Sequence, residues 1–231
     1  MRNLLLTLSF DGSAYHGWQV QENACTVQQT LQDAFERICS TRDNVVGCSR
    51  TDSGVHANMY CCNIRTENPI DCGKLVTAMN AVLPRDIAVT GCREVPFEFH
   101  ARYDCRSKEY IYKIRNHYKY PLDAEMLGAQ ARDYIGSHDF SSFCAAGSSV
   151  STTVRCVKNA RVERSGDMVV FTVEADGFLY NMVRIMVGTL IDISSGKLER
   201  GSIGDIIAAK DRGRAGFTAP PHGLYLNRVE Y

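Results

Sequence analysis

Hydrophobic residues near the start of the chain recur at every second position. Leu4, Leu6, Leu8 and Phe10 follow the period of a strand with one buried face. After a glycine-bearing stretch, 11–25, the period lengthens. Thr26-Val27-Gln28-Gln29 resembles a capping box, and Val27, Leu31, Phe35 and Ile38 then fall at helical spacing. Extended segments follow around 44–49 and 57–65. Asp71 can open a second helix carrying Leu75, Met79 and Val82, which must end before Pro84. A strand around 86–95 completes this half.

The second half repeats the grammar loosely. Residues 109–115 alternate as a strand, and 123–135 read as a helix with Met126, Gln130 and Tyr134 at helical spacing. Two β segments, 152–164 and 168–175, flank Ser165-Gly166-Asp167, a hairpin turn. A helix over 179–193 carries Met182, Val183, Met186, Leu190 and Ile191. A shorter helix over 202–210 and a Gly/Pro-bearing loop, 213–223, precede a last strand from Leu224 to Val229. Helices and strands mix within each half, with strong β signals adjacent to one another. The pattern predicts an α+β fold: a mixed, largely antiparallel sheet flanked by helices, in two similar halves, 1–100 and 101–231.

Composition narrows the class. A chain of 231 residues with 45% hydrophobic content can bury a substantial core and is neither disordered nor membrane-like. The apolar run at the N-terminus is short and is followed by Ser9 and Asp11, so it reads as a strand and not a signal peptide. No segment approaches the roughly 20 apolar residues that span a bilayer. A soluble, cytoplasmic protein is expected. The ten cysteines include no C-x-x-C pair and no Cys/His knuckle, so no metal site is predicted. They read as reduced, mostly buried thiols.

Charge is balanced, with 26 Lys+Arg against 26 Asp+Glu, whereas nucleic-acid binders often carry a basic excess. Phosphate contacts would have to come from a local patch. Arg102, Arg106, Lys108, Lys113 and Arg115 form one, opposed by Asp104 and Glu109.

The stretch richest in chemistry is Gly47-Cys48-Ser49-Arg50-Thr51-Asp52-Ser53-Gly54-Val55-His56-Ala57. It sets a carboxylate between an arginine and a histidine, in a turn of small residues between two extended segments. An Arg-x-Asp pair by itself is more often a local ion pair or a turn cap. Elsewhere, Arg184 lies on an otherwise apolar helix face, where a charge needs a partner. Tyr110, Tyr112 and Ile114 share a strand face, so Tyr110 fits a core as well as a site. Trp18 and Tyr15 read as packing residues, and His56 suits a structural hydrogen bond as well as a ligand contact. There is neither a G-x-G-x-x-G fingerprint nor a P-loop. A carboxylate-based hydrolase would need a second carboxylate for which the chain has no compelling candidate.

The 47–57 stretch resembles the signature loop of the tRNA pseudouridine synthase A family, Gly-x-Gly-Arg-Thr-Asp-x-Gly-Val-His-Ala. Further blocks resemble that family in order along nearly the whole chain. They are Phe10-Asp11-Gly12-Ser13-Ala14-Tyr15-His16-Gly17-Trp18-Gln19-Val20-Gln21 with Thr26-Val27-Gln28, and Phe99-His100-Ala101-Arg102 with Lys108-Glu109-Tyr110-Ile111-Tyr112. Then come Ser137-His138-Asp139-Phe140 with Phe143, Gly177-Phe178-Leu179 with Asn181-Met182-Val183-Arg184, and Thr218-Ala219-Pro220 with Gly223-Leu224-Tyr225-Leu226. Two departures stand out. Ser49 replaces the loop's second glycine, and Met59-Tyr60 replaces a Gly-Gln pair; both bear on substrate choice more than on Asp52.

The resemblance implies isomerisation of uridine to pseudouridine in the anticodon stem-loop of tRNA, positions 38 to 40, by a homodimer. It implies Asp52 as the catalytic carboxylate, Arg184 as its partner and Tyr110 against the target base. Arg50 would assist extrusion of the nucleotide, with His56, Arg102 and Lys108 as RNA contacts. The reaction exchanges one glycosidic bond for another, without redox change or group donor, so no cofactor is implied. A non-catalytic RNA-binding protein of the same fold, or a paralogue with another uridine target, is the alternative.

Overall fold

The structure, a computed structural model, describes residues 1–116, 121–148 and 150–231. They form two compact units: Met1–Arg106 with Tyr225–Tyr231, and Ser107–Leu224.

In the first unit, β1 (Arg2–Phe10) lies between β3 (His56–Thr66) and β4 (Ile87–Val95), antiparallel to both. β2 (Val45–Gly47) pairs antiparallel with β3. The final strand, β9 (Leu224–Glu230), returns to run parallel to β3, with His56 beside Tyr225. Two helices, α1 (Val27–Cys39) and α2 (Cys72–Val82), complete the unit. Thr26 Oγ1 caps α1 by accepting from the Gln29 amide. Asp71 Oδ1 caps α2 by accepting from Gly73 N at 2.9 Å and Lys74 N at 3.1 Å. Caps of this kind contribute about 1 kcal/mol each. Val27, Leu31 and Phe35 are wholly buried, as are Leu4, Leu6 and Leu8. Burying each leucine contributes about 1.5–3 kcal/mol, so the two periodicities read from the sequence supply the core.

The second unit holds an antiparallel sheet in the order β5 (Ser107–Arg115), β8 (Met168–Ala175), β7 (Val154–Ser165), β6 (Gly136–Asp139). Gly166 makes the β7–β8 turn with φ 59°, a left-handed conformation that glycine adopts without a Cβ penalty. The helices are α3 (Ala124–Ala131), α4 (Met182–Ser194) and α5 (Ile203–Ala209). The largely antiparallel α+β architecture is the one expected.

Details differ. The helix expected over 123–135 stops at Ala131 and continues as a 3-10 turn, Arg132–Tyr134. Its buried positions are Leu127, Ala131 and Tyr134, so Met126 and Gln130 do not define the inner face. The tightened last turn rotates Tyr134 inward, where its hydroxyl donates to Met186 O at 3.1 Å. Helix α4 begins three residues later than expected, because Asn181 takes a left-handed φ of 59°. Strand β6 went unread because Gly136-Ser137-His138-Asp139 lacks an apolar alternation; its backbone pairs with β7 all the same. All ten cysteines are thiols, but only Cys39, Cys48, Cys61 and Cys62 are buried. Five are half-buried and Cys25 is exposed, so burial is less general than expected. Among the described residues, no helix is long and apolar enough to cross a membrane.

Asp139 ties the end of β6 to its surroundings. Its Oδ1 accepts from Thr153 Oγ1 at 2.6 Å, Ser141 Oγ at 2.8 Å and Ser141 N at 3.1 Å, and Lys210 Nζ lies 3.0 Å from Oδ2. The Thr153 hydroxyl first, then Lys210, holds this carboxyl well below the usual carboxylate range. A depressed folded-state pKa means stability that is present above the unfolded pKa of about 3.9 and lost as the pH falls through the folded value. Asp139→Asn should therefore lower Tm by about 2–4 °C at neutral pH. The gap to wild type, read by thermal melts from pH 7 down to pH 3, should narrow toward acid; a constant gap would assign the loss to packing.

Candidate active site

Asp52 sits in the connection from β2 to β3, on a turn closed by the Val55 amide donating to Asp52 O at 3.2 Å. Gly54, third in the turn, has φ 77°, the positive value that a type II turn requires there. A second segment, 12–18, grips the turn from outside. Trp18 N donates to Thr51 O at 3.1 Å and Gly54 N donates to Tyr15 O at 3.2 Å, so the backbone is fixed on both sides of Asp52. The approach is close enough to demand glycine. A Cβ on Gly17 would lie 2.4 Å from Thr51 O, and one on Gly12 would lie 2.0 Å from Val55 O. Asp52 itself is half-buried and Arg50 is exposed. Thr51 Oγ1 is buried with no hydrogen-bond partner among the described residues, a cost of about 1–3 kcal/mol stored beside Asp52.

The floor of the loop is aromatic. Trp18 stacks on Tyr60 at 4.2 Å, and both are buried. The Tyr60 hydroxyl accepts from Ser49 N at 3.4 Å and donates to Ser49 O. The two departures from the family pattern, Ser49 and Tyr60, thus bond to each other. Tyr15 and Trp18 are packing residues, as their sequence context suggested. The Tyr15 hydroxyl also donates to Asp86 Oδ1 at 2.7 Å, and burial first, then this carboxylate, raises its phenol well above the ordinary range.

His56 begins β3 and is 6% exposed. Its ring stacks on Tyr225 at 4.5 Å, and Nδ1 accepts from Gly12 N at 3.1 Å. Asp11 Oδ1 lies 3.0 Å from the same nitrogen, which accepts from Gly12 N when Nδ1 is bare and donates to Asp11 when Nδ1 carries a proton. The Ser13 hydroxyl and amide, ahead of His56, hold the Asp11 carboxyl below its usual range. A recess of about 310 Å³ opens here, lined by Asp11, His56, Asn58, Arg85, Asp86 and Tyr225.

Arg102 is exposed on the segment between β4 and β5. That segment is fastened at the Asn3 end of β1, whereas the Asp52 turn adjoins the Phe10 end, seven residues away or about 23 Å. In the second unit, Tyr110 is 6% exposed and packs edge-on against Phe178 at 5.1 Å. Lys108 is 9% exposed, which leaves little surface for a phosphate.

Arg184 stands in the first turn of α4. Its Nε donates to Ala219 O at 2.6 Å and its Nη1 to Asn181 Oδ1 at 2.8 Å, while Ala219 N donates back to Arg184 O at 3.1 Å. The Thr218-Ala219-Pro220 block therefore orients this guanidinium. Tyr112 belongs to the same group: its hydroxyl donates to Pro220 O at 2.8 Å, and burial raises its phenol, opposed by the Arg184 charge. In the sequence, Tyr112 stands as a strand neighbour of Tyr110 and as the end of the Lys108-Glu109-Tyr110-Ile111-Tyr112 block, with no role assigned to it. Its two-residue spacing marked the shared face but gave no sign of the loop bond.

The family model for tRNA pseudouridine synthase matches residues 7–104 and 130–231. The tRNA pseudouridine synthase A of Thermoanaerobacter sp. (strain X514) is 44% identical over 244 residues, covering all of both chains. That of Clostridium acetobutylicum is 40% identical, and tRNA pseudouridine synthase A 2 of Clostridium perfringens 39%, each again with all of both chains covered. A solved structure of a Cbf5-Nop10-Gar1 complex aligns with TM-score 0.38 and 14% identity, covering 96% of this chain and 57% of that one. The chain belongs to the tRNA pseudouridine synthase family, whose members are isomerases.

Proposed function

We propose that this protein converts uridine to pseudouridine in the anticodon stem-loop of tRNA, acting as a cytoplasmic homodimer with Asp52 as the catalytic carboxylate. The observation that carries this reading is the Asp52 turn, held by backbone bonds at Thr51 and Gly54 in a chain of this family. Such bracing is what a reacting carboxylate needs, because small misplacements of a reacting group are costly.

The N1–C1′ bond of uridine breaks, the uracil rotates, and a C5–C1′ bond forms. An ionised Asp52 either attacks C1′ or removes the C2′ proton, and both routes require the deprotonated carboxylate. Arg184, fixed by Ala219 and Asn181, pairs with Asp52 and favours that form. Tyr110 lies against the base and takes or relays the proton leaving C5. Arg50 contacts the RNA around the extruded nucleotide, His56 supports that end of the site from beneath through Gly12 and Tyr225, and Arg102 takes a phosphate.

The test is a pseudouridine map of unmodified tRNA transcripts incubated with the purified protein alone. Signal at positions 38 to 40 is the expected outcome. Signal at another site would keep the chemistry and move the target, implicating Ser49 and Tyr60. Bound tRNA without any signal would overturn the catalytic reading in favour of an RNA-binding protein.

A further inference from the structure

Two buried amides in the first unit serve a loop on the surface. Asn3 on β1 and Asn63 on β3 are 1% and 2% exposed, positions where an amide is costly unless every polar atom is engaged. Asn63 Nδ2 donates to Asn3 Oδ1 at 2.9 Å. Asn3 Nδ2 then donates to the carbonyls of Pro96, Phe97 and Phe99 at 3.2, 3.2 and 2.8 Å, and Asn63 Oδ1 accepts from Ala101 N at 2.9 Å. Tyr231 adds a bond from its hydroxyl to Ala101 O at 2.9 Å and packs its ring against Phe99 at 4.9 Å. The backbone of 96–101 is thereby fixed.

What this loop displays does not contribute to the core. Phe97 is 44% exposed and carries the Arg65 guanidinium 4.9 Å over its ring. Tyr103 is 76% exposed and stacks on His100 at 4.2 Å. His100 is itself set: its Nδ1 accepts from Arg102 N at 3.1 Å and Tyr103 N at 3.3 Å, and its own amide donates to Asp104 Oδ2 at 2.9 Å. Phe99 and Ala101 anchor the loop, so Phe97 and Tyr103 are presented outward on a rigid mount.

We infer that the His100–Tyr103 stack is a platform for an unpaired base of the tRNA substrate, with Arg102 beside it for the adjoining phosphate. This rests on the reading of the protein as a tRNA-modifying enzyme and adds a second contact to it. Every nucleobase has a π-face, and unpaired bases are the ones free to stack on side-chain rings. The surrounding charge suits RNA. Arg65, Arg93, Arg102 and Arg106 are exposed; the nearby acids are exposed Glu98 and Asp104, and Glu94, which is tied to Arg2 at 2.8 Å, so the arginines outnumber the acids. The platform lies about 23 Å along β1 from the Asp52 end, so it holds a nucleotide other than the target.

The experiment compares wild type, Tyr103→Ala and Tyr103→Trp on one unmodified tRNA transcript, measuring pseudouridine formation, binding by fluorescence anisotropy and oligomeric state by light scattering. Tyr103→Ala should raise KM and Kd about tenfold while kcat at saturating tRNA is unchanged, and Tyr103→Trp should restore both. Unchanged binding in Tyr103→Ala overturns the platform, as does a tryptophan variant as weak as the alanine one. A change of oligomeric state with falling kcat would assign the surface to a second copy of the chain. A wild type that binds tRNA without modifying it defeats the catalytic reading alone, since the binding ratio still decides the platform. A wild type that does not bind overturns both.

Discussion

Asp52→Asn should reduce pseudouridine formation by about 10³-fold or more while tRNA affinity stays within a few-fold of wild type. The substitution is nearly isosteric, and the bonds that shape the turn run through the backbone: Val55 N to Asp52 O, Trp18 N to Thr51 O, Gly54 N to Tyr15 O. None needs a carboxylate, so the loop should keep its shape. An amide, however, neither attacks C1′ at a useful rate nor accepts the C2′ proton. Single-turnover assays with enzyme in excess would read the chemical step directly, and a binding titration on the same preparation would show that the RNA still docks. Substantial residual turnover would remove Asp52 from the catalytic role.

Gly188→Ala should be nearly as damaging for a different reason. A Cβ on Gly188, inside α4, would lie 1.7 Å from Phe217 O and 2.7 Å from Phe217 C, and backbone cannot yield as a side-chain tip does. The neighbouring segment has little slack. Gly216 N donates to Thr189 Oγ1 at 2.9 Å, Phe217 N donates to Asp192 Oδ2 at 3.3 Å, and Ala219 exchanges bonds with Arg184. Displacement at Phe217 is thus passed to Ala219 O, the acceptor that aims the Arg184 guanidinium. We expect a stability loss of about 1–3 kcal/mol or more, and a fall in kcat that persists at temperatures well below the variant's Tm. Gly204→Ala is the control: nothing lies within 4 Å of its Cβ position on α5, and the change should be neutral or slightly stabilising. If Gly188→Ala loses stability but retains kcat, the 216–220 segment is structural and does not position Arg184.

What the sequence revealed and what it hid divide along a physical line. The faces of α1 and β1 were legible because one-sided burial writes a period into the chain, and the caps at Thr26 and Asp71 because their bonds are local. The Asp52 turn was legible for a similar reason: Gly54 and its small neighbours announce tight backbone. The bonds that brace it were not. Tyr15 and Trp18 meet the turn only once the chain has folded, and the contact between Tyr60 and Ser49 spans two elements. Asn3 and Asn63 carried no signal in the sequence, since they bond to each other and to the backbone of a distant loop. Strand β6 was missed because four polar residues carry no alternation, although their backbone pairs as well as any other.

The return of β9 to the first unit has a consequence for biosynthesis. Residues 107–224 are threaded between the two parts of that unit, so its sheet stays incomplete while they are made. At about 5–20 residues per second, the wait is roughly 6–24 s on the ribosome. Throughout it, β2 covers β3 from Cys62 to Ile64, but His56 and Ala57, next to the Asp52 turn, have no Tyr225 or Leu226 to pair with. The strand end closest to the proposed chemistry is therefore among the last parts of the first unit to find its partner, and for those seconds a nascent chain presents an open edge to its neighbours.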